Sequence, residues 1–442
     1  MPGGLLTDLY ELNMAASYLR RGMDELATFS LYARGLPRSR GFLVSAGLGS
    51  CLDFLESFSF TQDELTALGA MGFDDRALED FADLRFGGEV WAVPEGSIVY
   101  ADEPLLEITA PVAAAQIVET FLLNQITLHT TLASKAARYV IAADGRDLVD
   151  FAFRRSHGVE AAMAVARASA MVGFVATSNV EAARRFGLRV AGTMAHAYIE
   201  AFPSEAEAFL AFARDHPSQM TFLVDTYDTV AGVRTAIETI RVLGVHEDIA
   251  VRLDSGDIGV LSREARRLLD EAGLTHARIF ASGGLDEMEV AALVAAGAPI
   301  DSFGIGTQLG VSADAPFIDS VYKLAEFDGR PTLKLSSGKA SKPGRKQVWR
   351  ALRDGEHHDT LGLRDEAGPA EAVPLLEPVM REGRHLLEPP SLDAARECFR
   401  RALPAVPAGA RRLEPQQVEV ERSQALLKLT ERAENDALRR VR

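Results

Sequence analysis

At 442 residues the chain should divide into two or three structural units, because a single core stops growing well below that length. A hydrophobic fraction of 47%, a charged fraction of 25% and no apolar run of bilayer-spanning length predict a soluble globular protein; the two cysteines, Cys51 and Cys398, have no paired spacing, which excludes a zinc knuckle and points to a reducing, cytoplasmic setting. The net charge of −16 excludes nucleic acid and anionic membranes as partners, so a polyphosphate substrate would need locally gathered cations, Mg²⁺ or backbone N–H groups.

The N-terminal run MPGGLLTDLYELN carries Asp8 and Glu11 and no basic residue, which reads as no targeting signal. ATFSLYARGLP is strand-like and stops at Gly35-Leu36-Pro37, and GSCLDFLESF and ALEDFADLRF have helical periodicity. VWAVPEGSIVYADEPLLEITAP, punctuated by Pro and Gly, predicts a small antiparallel sheet. A long helical stretch over residues 113–145 then delivers Ser134, Lys135 and Arg138 toward the segment that follows. Between Asp147 and Thr307 seven apolar, β-rich runs each end in a small polar cluster and give way to helix-like sequence: LVDF–AFRRSHG, GFVATSN, LRVAGTMAH, MTFLVDTYD, IAVRLDSGD, ARIFASGG and IDSFGIGT. Strands alternating with helices predict a parallel sheet, and polar residues gathered at strand ends predict one working face of a closed β/α barrel. Beyond it, VYKLAEFDGRPTLKLS predicts a hairpin turning at Asp328-Gly329 and KPGRKQVWR a basic strand; the Pro- and Arg-rich remainder holds DAARECFRRAL and a polar helix near residues 424–439.

The strand ends supply Arg154, Arg155, His157, Ser178, Asn179, Thr193, His196, Asp225, Asp228, Arg252, Asp254 and Asp257. That density of polar and charged groups points to an enzyme. Two glycine turns, Ala281-Ser282-Gly283-Gly284 and Gly304-Ile305-Gly306-Thr307, follow successive late strands. One such turn needs only tight geometry to explain it, whereas two in this position point to a phosphate approached by backbone N–H groups. In IAVRLDSGD, alternation puts Arg252 and Asp254 on one face. Arg252 suits a planar carboxylate, and Asp254 suits Mg²⁺, a ribose hydroxyl or a hydrogen bond to a histidine; a structural ion pair is the plainer alternative. His196 sits among carboxylates able to orient and charge an imidazole. Arg154 and Arg155, with Lys135 and Arg138, would form the local cation cluster that the acidic chain otherwise lacks, although each one singly could be a solvated surface group.

LLTDLYELNMA, SKAARYV, DFAFRRSHG, ATSNV, GTMAHAYIEAF, LVDTYDT, VRLDSGD, SGGLDE, FGIGT and GKASKPGRKQVWR, in this order along nearly the whole chain, resemble nicotinate phosphoribosyltransferases. The resemblance implies a type II phosphoribosyltransferase fold: an irregular β/α barrel with a flanking α/β sandwich built from N- and C-terminal segments. The expected division is 1–130 for the flanking domain and linking helix, 131–345 for the barrel, and 346–442 for a C-terminal segment packing on the flanking domain. It implies synthesis of nicotinate mononucleotide and pyrophosphate from nicotinate and 5-phosphoribosyl 1-pyrophosphate, with Mg²⁺ and with ATP as co-substrate. In that reading His196 becomes a phosphohistidine. Thr193 and Arg252 meet nicotinate, and Arg155 flanks the ring and the pyrophosphate. Tyr10 reaches the ring across a homodimer interface with shared active sites. Asp225 and Asp254 position His196 and the metal-bound substrate, with Asp254 and Asp257 as candidate metal ligands. Arg138, Arg154, Gly283, Gly284, Gly306 and Thr307 hold the phosphates. Ser178 stands where the related nicotinamide enzymes carry an Asp, and without that carboxylate the acid is favoured over the amide.

Ala33, Ala152 and Ala176 depart from the family pattern and bear on the shape of the ring pocket. Three rivals stand beside this reading: a quinolinate phosphoribosyltransferase, a catalytically silent sensor of phosphoribosyl pyrophosphate, and a barrel lyase or isomerase. The last would want a Lys or Glu base at a strand end, and none is present there.

Overall fold

The computed structural model of the chain describes residues 3–218, 220–245, 247–335, 341–386 and 391–440. It divides into two compact units, Lys135–Pro316 and Met1–Ser134 with Phe317–Arg442.

In the first unit six short parallel strands alternate with helices: β1 (Asp147–Asp150), β2 (Ala176–Thr177), β3 (Met220–Leu223), β4 (Ile249–Leu253), β5 (Arg278–Ala281) and β6 (Ser302–Ile305). Their order across the sheet is β2-β1-β6-β5-β4-β3. The sheet curls into an irregular β/α barrel. Six of the seven predicted runs are strands. LRVAGTMAH is the exception: it contributes a single bridge, Val190 to Thr177, because Ala191 and Gly192 end its β-forming residues after three positions. The expected closed barrel is therefore a ladder with two edges, β2 and β3, the first met only by that bridge.

All five residues of β4 are buried, as expected for a strand covered on both faces, and Arg252 is its one charged member. The helices after β2, β3, β4 and β5 begin at Asn179, Asp228, Asp257 and Asp286, whose side chains accept from Ala182 N, Ala231 N, Val260 N and Glu289 N. Much of the polar character at the strand ends is thus helix capping, worth about 1 kcal/mol each, rather than chemistry.

The second unit is built on a seven-stranded sheet in which Leu26–Ala33 pairs antiparallel with both Pro104–Pro111 and Ser320–Phe327. The predicted hairpin turns at Asp328-Gly329, both at positive φ (50° and 68°), as a two-residue turn in a right-twisted ladder requires. Because Ser320–Phe327 pairs with Leu26–Ala33 from Ala27 to Ala33, the chain rejoins this unit at Phe317 rather than at the expected 346, and the barrel begins at Lys135 rather than 131. Farther on, Glu377–Arg381 adds to the same sheet beside Glu89–Ala92.

The basic strand Lys346–Arg353 directs Lys346 and Arg350 inward and leaves Arg353 exposed. Lys346 Nζ lies 3.1 Å from Glu107, and Arg350 is bidentate on Asp359 at 2.8 and 2.5 Å. Residues 338–340 of the GKASKPGRKQVWR motif, and Ser336 at the end of the hairpin run, lie outside the described residues. No described helix is long and apolar enough to cross a membrane.

Candidate active site

The site is organised around Arg252. Only 8% of it is exposed, and its guanidinium lies 5.4 Å from the centre of the Phe151 ring. Three of its N–H groups are fixed: Nε donates to Ser282 Oγ at 2.8 Å, Nη1 to Thr193 Oγ1 at 2.9 Å, and Nη2 to Asp254 Oδ1 at 2.6 Å. A guanidinium has five donors, so one on each Nη nitrogen stays without a described partner. Donors left over on a guanidinium whose plane is preset can receive a carboxylate or phosphate.

Asp254 follows at the end of β4, and Oδ1 also accepts a short hydrogen bond from Ser282. Burial pushes its carboxyl up, but the Arg252 charge, the hydrogen bonds from Ser282 and Arg252, and His196 together hold it below the usual carboxylate range. Its other oxygen lies 3.9 Å from His196 Nε2. His196 opens a short helix, His196–Glu200, and Nδ1 shares a 3.1 Å hydrogen bond with Thr226 Oγ1.

Asp225, expected to orient His196, does not touch it. Its Oδ2 accepts from Asp254 N at 3.1 Å and Ser255 Oγ at 2.6 Å, tying the end of β3 to the end of β4. Oδ1 of Asp225 is buried with no hydrogen-bond partner. The residue one position on, Thr226, takes the imidazole instead, because the turn after β3 aims Asp225 across the ladder. Asp257 likewise spends Oδ1 on capping its helix, 3.0 Å from Val260 N.

Arg138 and Lys135 are not free cations. Lys135 pairs with Glu287 through a short contact and lies 2.8 Å from Asp314, and Arg138 Nε donates to Glu287 Oε1 at 2.7 Å. Glu287 opens the helix that follows the first glycine turn, so both cations meet carboxylates there before any substrate could reach them. Ser134 belongs to the other unit, where its hydroxyl accepts from Val44 N at 2.9 Å. Arg154 and Arg155, in a 3₁₀ turn after β1, are exposed and pair with no described residue. His157 is also exposed.

Ser178 lies at the end of β2, its amide donating to Asp150 O at 2.8 Å. Asp150 accepts from Thr177 Oγ1 at 2.7 Å and Ala152 N at 2.8 Å, so this buried carboxyl clamps the ends of β1 and β2 together. Burial pushes it above its ordinary range against those two bonds. Tyr10, 48% exposed, sits in the other unit on the helix Leu9–Arg20.

The first glycine turn is a constrained device. Gly283 and Gly284 have φ of 106° and 83°, and their amides donate to no described residue. A Cβ at Gly283 would stand 2.0 Å from Asp254 O. Gly283→Ala should therefore shift the turn away from Asp254 and cut kcat/KM by at least about tenfold, since a misplaced binding group costs up to about 100-fold. Gly284→Ala, where no heavy atom lies within 4 Å, adds only the strain of its φ and should cost less in the same assay. Gly306 and Thr307 start a four-residue helix after β6.

Ser282 and Thr226 are the residues that strand-end reading passed over; Ser255, read with Arg252, Asp254, Gly256 and Asp257 as one dense cluster, donates to Asp225 rather than to Arg252. Ser282 was legible only as part of a glycine turn. The parallel register Ala281↔Leu253 brings the next residues, Ser282 and Asp254, side by side, and Arg252 reaches the serine hydroxyl from two positions before Asp254.

Polar groups converging at the carboxyl ends of the strands of a curled β/α barrel define an enzyme site of the barrel type. Residues 5–127 match the nicotinate phosphoribosyltransferase N-terminal domain, and residues 147–354 match the nicotinate phosphoribosyltransferase family. The chain is 50% identical over 416 residues to a nicotinate phosphoribosyltransferase of Mycobacterium tuberculosis, covering 93% of this chain and 89% of the relative. It is 42% identical over 375 residues to the nicotinate phosphoribosyltransferase of Bacillus subtilis, covering 82% and 76%. The crystal structure of human nicotinic acid phosphoribosyltransferase has the same fold, with a TM-score of 0.85 at 26% identity over 96% of this chain and 99% of that one. A nicotinate-nucleotide pyrophosphorylase from Pyrococcus furiosus follows at a TM-score of 0.74, with 26% identity over 90% and 94%. The chain belongs to the nicotinate phosphoribosyltransferase family, and it is an enzyme of that type.

Proposed function

We propose that the enzyme joins nicotinate to 5-phosphoribosyl 1-pyrophosphate, releasing nicotinate mononucleotide and pyrophosphate in the first step of NAD salvage from nicotinate. ATP hydrolysis is coupled to it through phosphorylation of His196. The observation that carries this reading is Arg252, a buried guanidinium fixed at three points with one donor left on each Nη nitrogen. Those donors receive the nicotinate carboxylate, beside Thr193. Ser178, a neutral side chain, lets the acid approach where a carboxylate would repel it.

In the reaction the bond from ribose C1 to the pyrophosphate oxygen breaks, the electron pair leaving with pyrophosphate, and the pyridine nitrogen bonds to C1. No side chain attacks carbon, so positioning and charge supply the rate. The free amides of Gly283 and Gly284, with Gly306 and Thr307, hold the 5-phosphate; the exposed, unpaired Arg154 and Arg155 meet the departing pyrophosphate.

The described residues hold no group of three or more His, Cys, Asp or Glu arranged for a metal, and Asp257 is partly spent as a cap. Asp254 and the unpartnered Oδ1 of Asp225 would hold Mg²⁺ there, carboxylate oxygens being ordinary ligands for it alongside substrate phosphates. When bound, it neutralises charge on the leaving pyrophosphate. Tyr10 serves the site of a second copy in a homodimer.

Mononucleotide formation should be measured from nicotinate, nicotinamide and quinolinate in parallel, with phosphoribosyl pyrophosphate and Mg²⁺, with and without ATP. Turnover of nicotinate alone, stimulated by ATP with release of ADP, is the expected result; no product from nicotinate would sink the reading. His196→Ala should lose ATP stimulation while ATP-independent synthesis persists. Stimulation equal to the parent's would remove His196 from the coupling.

A further inference from the structure

We propose that Ser282 is a positioning residue for recognition of the acid: its hydroxyl, held between Arg252 Nε and Asp254 Oδ1, sets the plane of the guanidinium that receives the substrate carboxylate. The inference rests on the function proposed above.

Ser282 is 3% exposed, and its amide donates to Leu253 O at 2.8 Å, so its backbone is fixed to the end of β4. A hydroxyl has one donor and two acceptor sites. Here the donor goes to Asp254 Oδ1 and an acceptor site takes Arg252 Nε at 2.8 Å. Asp254 Oδ1 also takes Nη2 at 2.6 Å, so Ser282 and Asp254 together fill the Nε and Nη2 side of the fork, bonded to each other as well as to the arginine. Thr193 holds Nη1. Three anchors on three nitrogens fix a plane, whereas two leave the guanidinium free to pivot.

The next residue locks the arrangement. Gly283 packs so closely on Asp254 O that no Cβ fits, which holds the serine and the carboxylate at constant separation. Among the described residues, Ser282 is the side chain that joins the glycine turn to the acid receptor. Removing its hydroxyl leaves a buried Nε–H without an acceptor and takes a donor from Asp254.

The test is steady-state kinetics of Ser282→Ala and Ser282→Thr beside the parent enzyme, with nicotinate and phosphoribosyl pyrophosphate varied in turn. Ser282→Ala should raise KM for nicotinate about 10- to 100-fold, the scale for a misplaced binding group. KM for phosphoribosyl pyrophosphate and the thermal midpoint should stay close to the parent values. Ser282→Thr, which keeps the hydroxyl, should recover part of the nicotinate KM.

A nicotinate KM within twofold of the parent in Ser282→Ala, or both KM values rising together without recovery in Ser282→Thr, overturns the proposal. A second readout does not depend on turnover: solvent exchange of the Arg252 Nε–H followed by NMR. It should speed at least tenfold in Ser282→Ala, and unchanged exchange overturns the positioning role. A parent enzyme that makes no product from nicotinate overturns the functional reading instead, and the exchange measurement then decides the Ser282–Arg252 anchor alone.

Discussion

Glu287→Ala should destabilise the barrel unit by about 3–5 kcal/mol, the scale for removing one partner from a buried charge cluster. Glu287 is 2% exposed and carries Lys135 and Arg138 together, leaving Asp314 as the remaining carboxylate partner among the described residues when it is gone. The loss should appear as a lower urea midpoint with little change in slope.

The same cluster predicts a pH dependence. Burial pushes the Glu287 carboxyl up, but the Lys135 charge and the hydrogen bonds from Lys135 and Arg138 hold it below its ordinary range. A group depressed in the folded state contributes stability above its unfolded value, about pH 4.3, and loses it as pH falls through the folded value. Acid should therefore narrow the gap between parent and Glu287→Ala. A gap that stays constant from pH 7 to about pH 3 would mean that Glu287 does not titrate against these cations.

The largest expected effect on activity is at Arg252. Arg252→Ala should lower kcat/KM for nicotinate by at least about 100- to 1000-fold, because it removes the acid receptor and leaves Thr193, Ser282 and Asp254 without their common donor. Arg252→Lys keeps the charge but not the planar fork. An ammonium has three donors and cannot reach three acceptors in one plane and still present donors to a substrate, so this variant should remain at least about tenfold impaired. Asp254, freed from the Arg252 charge in the alanine variant, should titrate higher than in the parent. If Arg252→Lys keeps parent efficiency with nicotinate, a planar receptor is not what the site uses.

Much of the site was legible as a set of residues without being legible as a set of contacts. Arg252, Asp254, Thr193 and His196 were all marked as strand-end groups, and they do come together. Asn179, Asp228 and Asp257 carried the same signal yet serve as helix caps, since a short polar side chain after a strand is also what starts the next helix. Lys135 and Arg138 looked like cations for a phosphate because nothing local in SKAARYV betrays Glu287, 152 and 149 positions away.

The sequence by itself determined the alternation of strand and helix, the apolar character of β4 and the Asp328-Gly329 hairpin, because each depends on periodicities and turn chemistry that act over a few residues. The tertiary structure decided the pairings. Arg252 meets Thr193 across 59 positions and Ser282 across 30; the register of β4 on β5 sets the second, and the loop after Val190 brings in the first, neither by local pattern. A shift of one residue in that register would turn Arg252 out of the site with its composition unchanged.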